Sequence, residues 1–198
     1  MIIRPLTAFE REAVRSFYLA LSTEDRHKRF CCSLSDETIW RYVDRLDFGR
    51  DVILGAFGED AQLIGLAELV HGAAASEMAF SVRPDKRGKK IGTKLLEKLL
   101  QCARVRGVGK AFVLFLANNT PMRRMASRAG MTLDLGDGEA HAVLELPAPG
   151  AEELARWALE ESLCYAGHCG AAPAGRRNTH VDPRVPAANE PQILSAAI

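Results

Sequence analysis

Arg87, Lys89 and Lys90 crowd around two glycines, Gly88 and Gly92, in the run VRPDKRGKKIGTKLL from Val82 to Leu96. Cations beside a turn with little side-chain bulk suit a pyrophosphate. The charges attract the anion, and amides at the start of a helix, lacking intrahelical partners, point their N–H groups at it. The opposing reading is a basic loop that is simply a solvated surface, which is equally common for a pattern this short. What surrounds the turn must decide between them.

Two elements would hold it. Glu77 to Val82 (EMAFSV) has strand composition, and Pro84 blocks its continuation as a central strand. From Ile91 onward, Ile91, Leu95, Leu96, Leu99, Leu100 and Ala103 recur on one face of a helix that Gly107 ends. The amides from Gly88 to Gly92 would converge at its N-terminus.

The rest of the chain supplies the frame. Met1 to Pro5 reads as a short strand. The capping box Thr7 to Glu10 then opens a helix with Val14, Phe17, Tyr18 and Leu21 on one side. Ser35 caps a second helix carrying Ile39, Tyr42, Val43 and Leu46, and the charged run Glu24 to Arg29 reads as the loop between the two. DVILGAFG (51–58) and LIGLAELV (63–70) read as a hairpin that Glu77 to Val82 extends. AFVLFLA (111–117) is apolar throughout, as in a central strand buried on both faces. Thr120 as N-cap and Pro121 at the first helical position open a short helix that Gly130 stops. Met131 to Leu135 and His141 to Leu146 close the fold as a hairpin around GDGE.

A formal net charge of +1 gives no global attraction to nucleic acid or anionic lipid, so any basic patch is local. No run approaches the ~18 apolar residues of a membrane helix, and the N-terminus lacks the apolar core of a signal peptide. These features lead to the expectation of a cytoplasmic protein that uses neither membrane nor nucleic acid. The cysteines, Cys31, Cys32, Cys102, Cys164 and Cys169, are odd in number and lack both metal-ligand spacing and a disulfide framework, so they read as reduced thiols, and no metal is expected.

The turn resembles the acyl-CoA-binding signature of the GCN5-related N-acetyltransferase (GNAT) family: Gln or Arg, two residues, Gly, one residue, then Gly or Ala. Arg87 and Gly92 fit; Lys90 stands where the family has its central glycine. FYLALSTEDRHKRF, GLAELV, EMAFSVRPDKRGKKIGTKLLEKLL and LANNTPMRRMASRAGM are similar to that family in the same order, closest to bacterial protein-lysine acetyltransferase domains. The resemblance spans roughly residues 2–146. It implies an α/β (α+β) domain with a mixed, mostly antiparallel central sheet and flanking helices over residues 1–146. Residues 147–198 would form a C-terminal extension, with a helix at about 151–166 and then a disordered tail rich in Ala, Pro and Gly.

By the same resemblance the activity is N-acetyl transfer from acetyl-CoA to a primary amine, either protein lysine or a small molecule, in a monomer or homodimer. A non-catalytic acyl-CoA-binding module is the alternative. The cosubstrate would meet backbone groups of Phe80, Ser81 and Val82. Below them it would meet the turn from Arg87 through Gly88, Lys89, Lys90, Ile91 and Gly92 to Thr93, with Asn119 beside its arm. Acyl transfer needs a neutral amine, hence a base, and Glu77 lies ten residues before Arg87, where some relatives carry theirs. A solvated strand-end carboxylate is the plainer reading of Glu77. Glu68 is second in line and reads as an ordinary sheet-surface carboxylate. Ala126 occupies the position of the family's tyrosine acid, leaving Ser127 and Cys102 as substitutes or as structural residues. Glu24, Asp25, Asp36, Asp44 and Asp47 either attract a cationic amine or belong to a solvated helix surface. Asn118 and Asn119 serve equally as turn residues.

Overall fold

The computed structural model describes residues 1–159. Seven strands form one sheet in the order β1-β2-β3-β4-β5-β7-β6. These are β1 (Ile2–Pro5), β2 (Val52–Phe57), β3 (Leu63–Val70), β4 (Ser76–Val82), β5 (Lys110–Leu116), β6 (Thr132–Leu135) and β7 (Glu139–Glu145). All neighbours are antiparallel except β4 and β5. That one parallel pair follows from the crossover between them, α4 (Ile91–Val105), which returns the chain to the same end of the sheet.

Each face of the sheet has its own apolar layer. Leu95, Leu96 and Leu99 of α4 pack on Leu54, Leu69, Met78 and Phe115. On the other face α1 (Arg11–Leu19) and α3 (Asp36–Arg45) set Val14, Phe17, Ile39 and Val43 against Ile53 and Leu66. β2 and β3 lie between the two layers, which is why their sequences are apolar on both sides. Gly65 in β3 lets α4 approach closely: a Cβ there would stand 3.1 Å from Leu95 and 3.3 Å from Ile91.

Three local expectations need correction. The run Glu24 to Arg29 is a helix, α2 (Thr23–Phe30), and not a loop. Ser22 caps it by accepting from the Asp25 amide, acidic residues fill its first turn, and basic residues fill its last, so dipole and caps stabilise a segment with almost no apolar stripe. Strand β5 is central but not buried on both faces. Ala111, Val113 and Phe115 are buried under α4 and α5 (Thr120–Arg128), while Phe112, Leu114 and Leu116 are only half-buried, because the short polar α2 covers them incompletely. Finally, α5 is capped by Asn119, whose Oδ1 accepts from the Met122 amide at 3.2 Å; Thr120 is already inside the helix.

Residues Met1–Leu154 form one compact unit. Residues 151–159 are helical; the remainder of the helix expected to about 166, and the tail after it, lie outside the described residues. No helix among the described residues is long and apolar enough to cross a membrane.

Candidate active site

Strands β4 and β5 pair only at Ser76 with Ala111 and Glu77 with Phe112. Beyond Glu77 they part, while β4 stays paired with β3 through to Val82 and Gly65. The stretch from Met78 to Val82 therefore offers main-chain groups with no partner strand on the β5 side. Phe80, Ser81 and Val82 all lie on this open edge, and the buried Ser81 hydroxyl has no hydrogen-bond partner.

A single 3-10 turn at Pro84–Lys86 leads from that edge to the basic turn. Gly88 and Lys90 both have positive φ, +78° and 60°. Lys90 is the N-cap of α4 but makes no side-chain cap, so the first amides of α4, at Ile91, Gly92 and Thr93, lack a capping side chain. Ile91 turns its own side chain into the core, leaving its amide to the turn. Gly92 faces Met125 of α5, whose sulfur would lie 3.4 Å from a Cβ added there. The open edge and the uncapped helix end thus adjoin, and both suit an extended ligand with a phosphorylated end.

Charge in the turn is distributed differently from the sequence expectation. Arg87 donates through Nε to the Val82 carbonyl (3.1 Å) and through Nη2 to Asp25 (2.5 Å). Arg83 and Lys86 pair with Asp85. Lys89 and Lys90 are exposed and make no ion pair among the described residues, so they carry the available positive charge.

Glu77 sits where the strands separate. It shares a sheet face with Glu68, because Glu68 pairs with Ala79, two residues along β4. Burial pushes its carboxyl above the usual 4.5; Glu68 adds to the rise and Arg29 opposes it. Glu68 is not a surface carboxylate but the centre of a buried network. It accepts from Tyr18 (2.6 Å), from Arg29 (2.5 Å) and from Tyr42. With its lone pairs so committed, Glu68 is a structural anion. Tyr18, Phe30 and Tyr42 surround the Arg29 guanidinium, whose carbon lies 4.5 Å from the Phe30 ring centre. Cys31, in the left-handed conformation at the end of α2, is a free thiol that burial raises to about 11, with Glu139, Cys32 and Glu77 acting in the same direction.

The acidic candidates all have partners of their own. Asp25, Asp36 and Asp44 pair with Arg87, Arg26 and Arg15, Glu24 pairs with Lys28, and Asp47 accepts from the amides of Gly49 and Arg50. No unpaired acidic funnel forms from them. Ala126 and Cys102 are buried in the core, and Ser127 is exposed on α5. Asn119 spends its side-chain oxygen on the α5 cap. Sequence reasoning missed Arg29 and the Tyr18–Tyr42 pair, since nothing in their spacing shows that they converge on Glu68; the capping pattern at Ser22 was the signal that could have revealed α2.

A strand pair that opens at a half-buried glutamate, above an uncapped helix end, can bind an extended phosphorylated cosubstrate beside a base. The family model for the Acetyltransferase (GNAT) family matches residues 11–131. The chain belongs to the GNAT family. As a GNAT protein it is an acyltransferase, moving an acyl group from acyl-CoA to an amine. Its structure is similar to the GNAT domain of S. lividans PAT, with 26% identity, a TM-score of 0.61, and 73% of this chain and 89% of that one covered. It shares its fold with ribosomal-protein-alanine N-acetyltransferase from Brucella melitensis (18% identity, TM-score 0.60, 74% and 100% covered). The same holds for a GNAT superfamily phosphinothricin acetyltransferase from Sinorhizobium meliloti in complex with AcCoA (15% identity, TM-score 0.60, 76% and 90% covered). The GNAT match ends at residue 131, short of β6 and β7, which complete the sheet.

Proposed function

We propose that the chain transfers an acetyl group from acetyl-CoA to a primary amine, protein lysine or small molecule, by direct attack, with Glu77 as general base. The observation that carries this reading is the end of β4–β5 pairing at Glu77, which sets a carboxyl at the head of the opening. Backbone groups of Phe80, Ser81 and Val82 line the path of the cosubstrate arm, and the amides from Gly88 to Thr93, with Lys89 and Lys90, receive its phosphates. Arg87 supports the turn from behind, and Asn119 starts the helix that closes its far side.

In the reaction Glu77 takes a proton from the acceptor ammonium, directly or through water. The freed nitrogen lone pair forms the C–N bond at the thioester carbonyl and an N–H of the β4 edge steadies the oxyanion; the adduct's nitrogen then gives its second proton to solvent as the C–S bond breaks to release CoA thiolate, which solvent protonates. Ala126 leaves no hydroxyl at the position of the family's tyrosine, so solvent protonation is the simplest route. Residues 1–146 act as the catalytic domain and 147–198 as an extension, in a cytoplasmic monomer or homodimer. The enzyme works without metal, nucleic acid or membrane.

The test is a panel of amines and lysine peptides read by CoA release. Glu77→Gln is expected to lower kcat/KM for a responding acceptor by about 10²–10⁴-fold while leaving acetyl-CoA affinity within a few fold. Unchanged turnover in this variant would remove Glu77 from the mechanism.

A further inference from the structure

Helix α2 lies across β4 and β5, where the two strands part. Its sequence, TEDRHKRF, has no apolar stripe with which to pack there, and of its residues only Asp25 is buried. Apart from Phe30, which packs on Tyr18 and Tyr42, polar anchors hold it. Arg26 donates to the carbonyls of Leu19, Leu21 and Leu34 and pairs with Asp36 at 2.6 Å, fastening α2 to its neighbouring helices. Arg29 ties its C-terminal end to Glu68 in the sheet.

The third anchor leads elsewhere. Asp25 Oδ1 accepts from Arg87 at 2.5 Å, and Oδ2 accepts from the Ser22 hydroxyl at 3.0 Å. Arg87 in turn donates to the Val82 carbonyl at 3.1 Å. A chain of hydrogen bonds therefore runs from the N-cap of α2, through Asp25 and Arg87, to the end of β4, closing the basic turn from behind. The Asp25 side chain is 7% exposed and that of Arg87 46%, so the pair is shielded from solvent on the α2 side and open to it on the side of the turn.

We infer that Asp25 is a positioning residue which, through Arg87, joins the acyl-CoA turn to α2, so that filling the turn orders α2 over the acceptor side of the opening. This rests on the turn being the acyl-CoA clamp. Coupling of binding free energies is reciprocal: an acceptor that settles α2 tightens the hold on acyl-CoA by the same factor. A purely structural ion pair would lower global stability when removed, yet would not make one segment respond to a ligand at another.

Hydrogen exchange on the full chain, with and without acetyl-CoA, tests this. In the unmodified protein acetyl-CoA is expected to slow exchange at 88–93 and also, about fivefold or more, at 23–32. In Asp25→Asn the response at 88–93 persists, that at 23–32 disappears, and acetyl-CoA affinity falls by about fivefold to tenfold. Asp36→Asn, which loosens α2 from α3 and leaves the turn untouched, keeps both responses. Should Asp25→Asn not fold, the unmodified protein still decides. Protection confined to 88–93 overturns the inference and leaves the clamp standing, whereas no protection at 88–93 removes the clamp and the inference together.

Discussion

Lys90 stands at the position of the family signature's central glycine, in a backbone conformation that favours glycine. At φ 60° it occupies the left-handed region, which costs a residue bearing Cβ roughly 1–2 kcal/mol. A glycine recovers that cost, less the extra freedom it has in the unfolded chain. Lys90→Gly is therefore expected to stabilise the protein by about 0.5–1 kcal/mol, raising Tm by about 2 °C. An unchanged or lower Tm would mean that the ammonium makes a compensating contact. Glu77 carries a different consequence. Burial raises its carboxyl, so the fold favours the protonated form, and the stability this contributes is lost as pH rises from 4.5 through the folded value. A base must be ionised, so activity moves the other way. The acid limb of kcat/KM is expected above pH 4.5 and is to be absent in Glu77→Gln; a limb at or below 4.5 contradicts the assignment.

Among the elements, α2 decides what lies over β4 and β5 on one face of the sheet. It is a helix by caps, dipole and the Glu24–Lys28 pair, and it is placed by ionic anchors and by Phe30 against Tyr18 and Tyr42, where α1 and α3 pack whole apolar faces. The Arg29–Glu68 pair is the most buried of these, with side chains 7% and 1% exposed. Removing one partner leaves the other charged and dry, so Glu68→Ala is expected to cost about 3–5 kcal/mol in urea unfolding. A loss below about 1 kcal/mol would show that water reaches Arg29 after all. Such a network stabilises only as a set. Its use here is to place a cation near Glu77 without exposing it to solvent.

At the scale of the molecule, the sheet from β1 to β7 is complete by Glu145, and the compact unit reaches Leu154. A chain ending at Leu154 is expected to keep its urea midpoint and its acetyl-CoA affinity within twofold of the full chain; loss of either would assign part of the clamp or core to the extension. Much of this architecture was legible in the sequence. Hydrophobic period specified the strands β2 to β4 and the helices α1, α3 and α4, because each buries an apolar face, while cap and turn residues marked α5 and the β6–β7 hairpin. The turn from Arg87 to Thr93 was legible too, since its glycines, cations and following helix are contiguous. Helix α2 was not, because charged residues give no period. The half-open state of β5 was missed because an apolar run reports what a strand can bury, not whether a neighbour arrives to cover it. Tertiary structure alone brought Tyr18, Arg29 and Tyr42 to Glu68, and Asp25 to Arg87 across 62 positions of chain. The sequence by itself determined where the cations of the turn would be. Folding decided that Arg87 pairs with Asp25, because only proximity in space pairs charges, and so left Lys89 and Lys90 as the exposed, unpaired cations of the turn among the described residues.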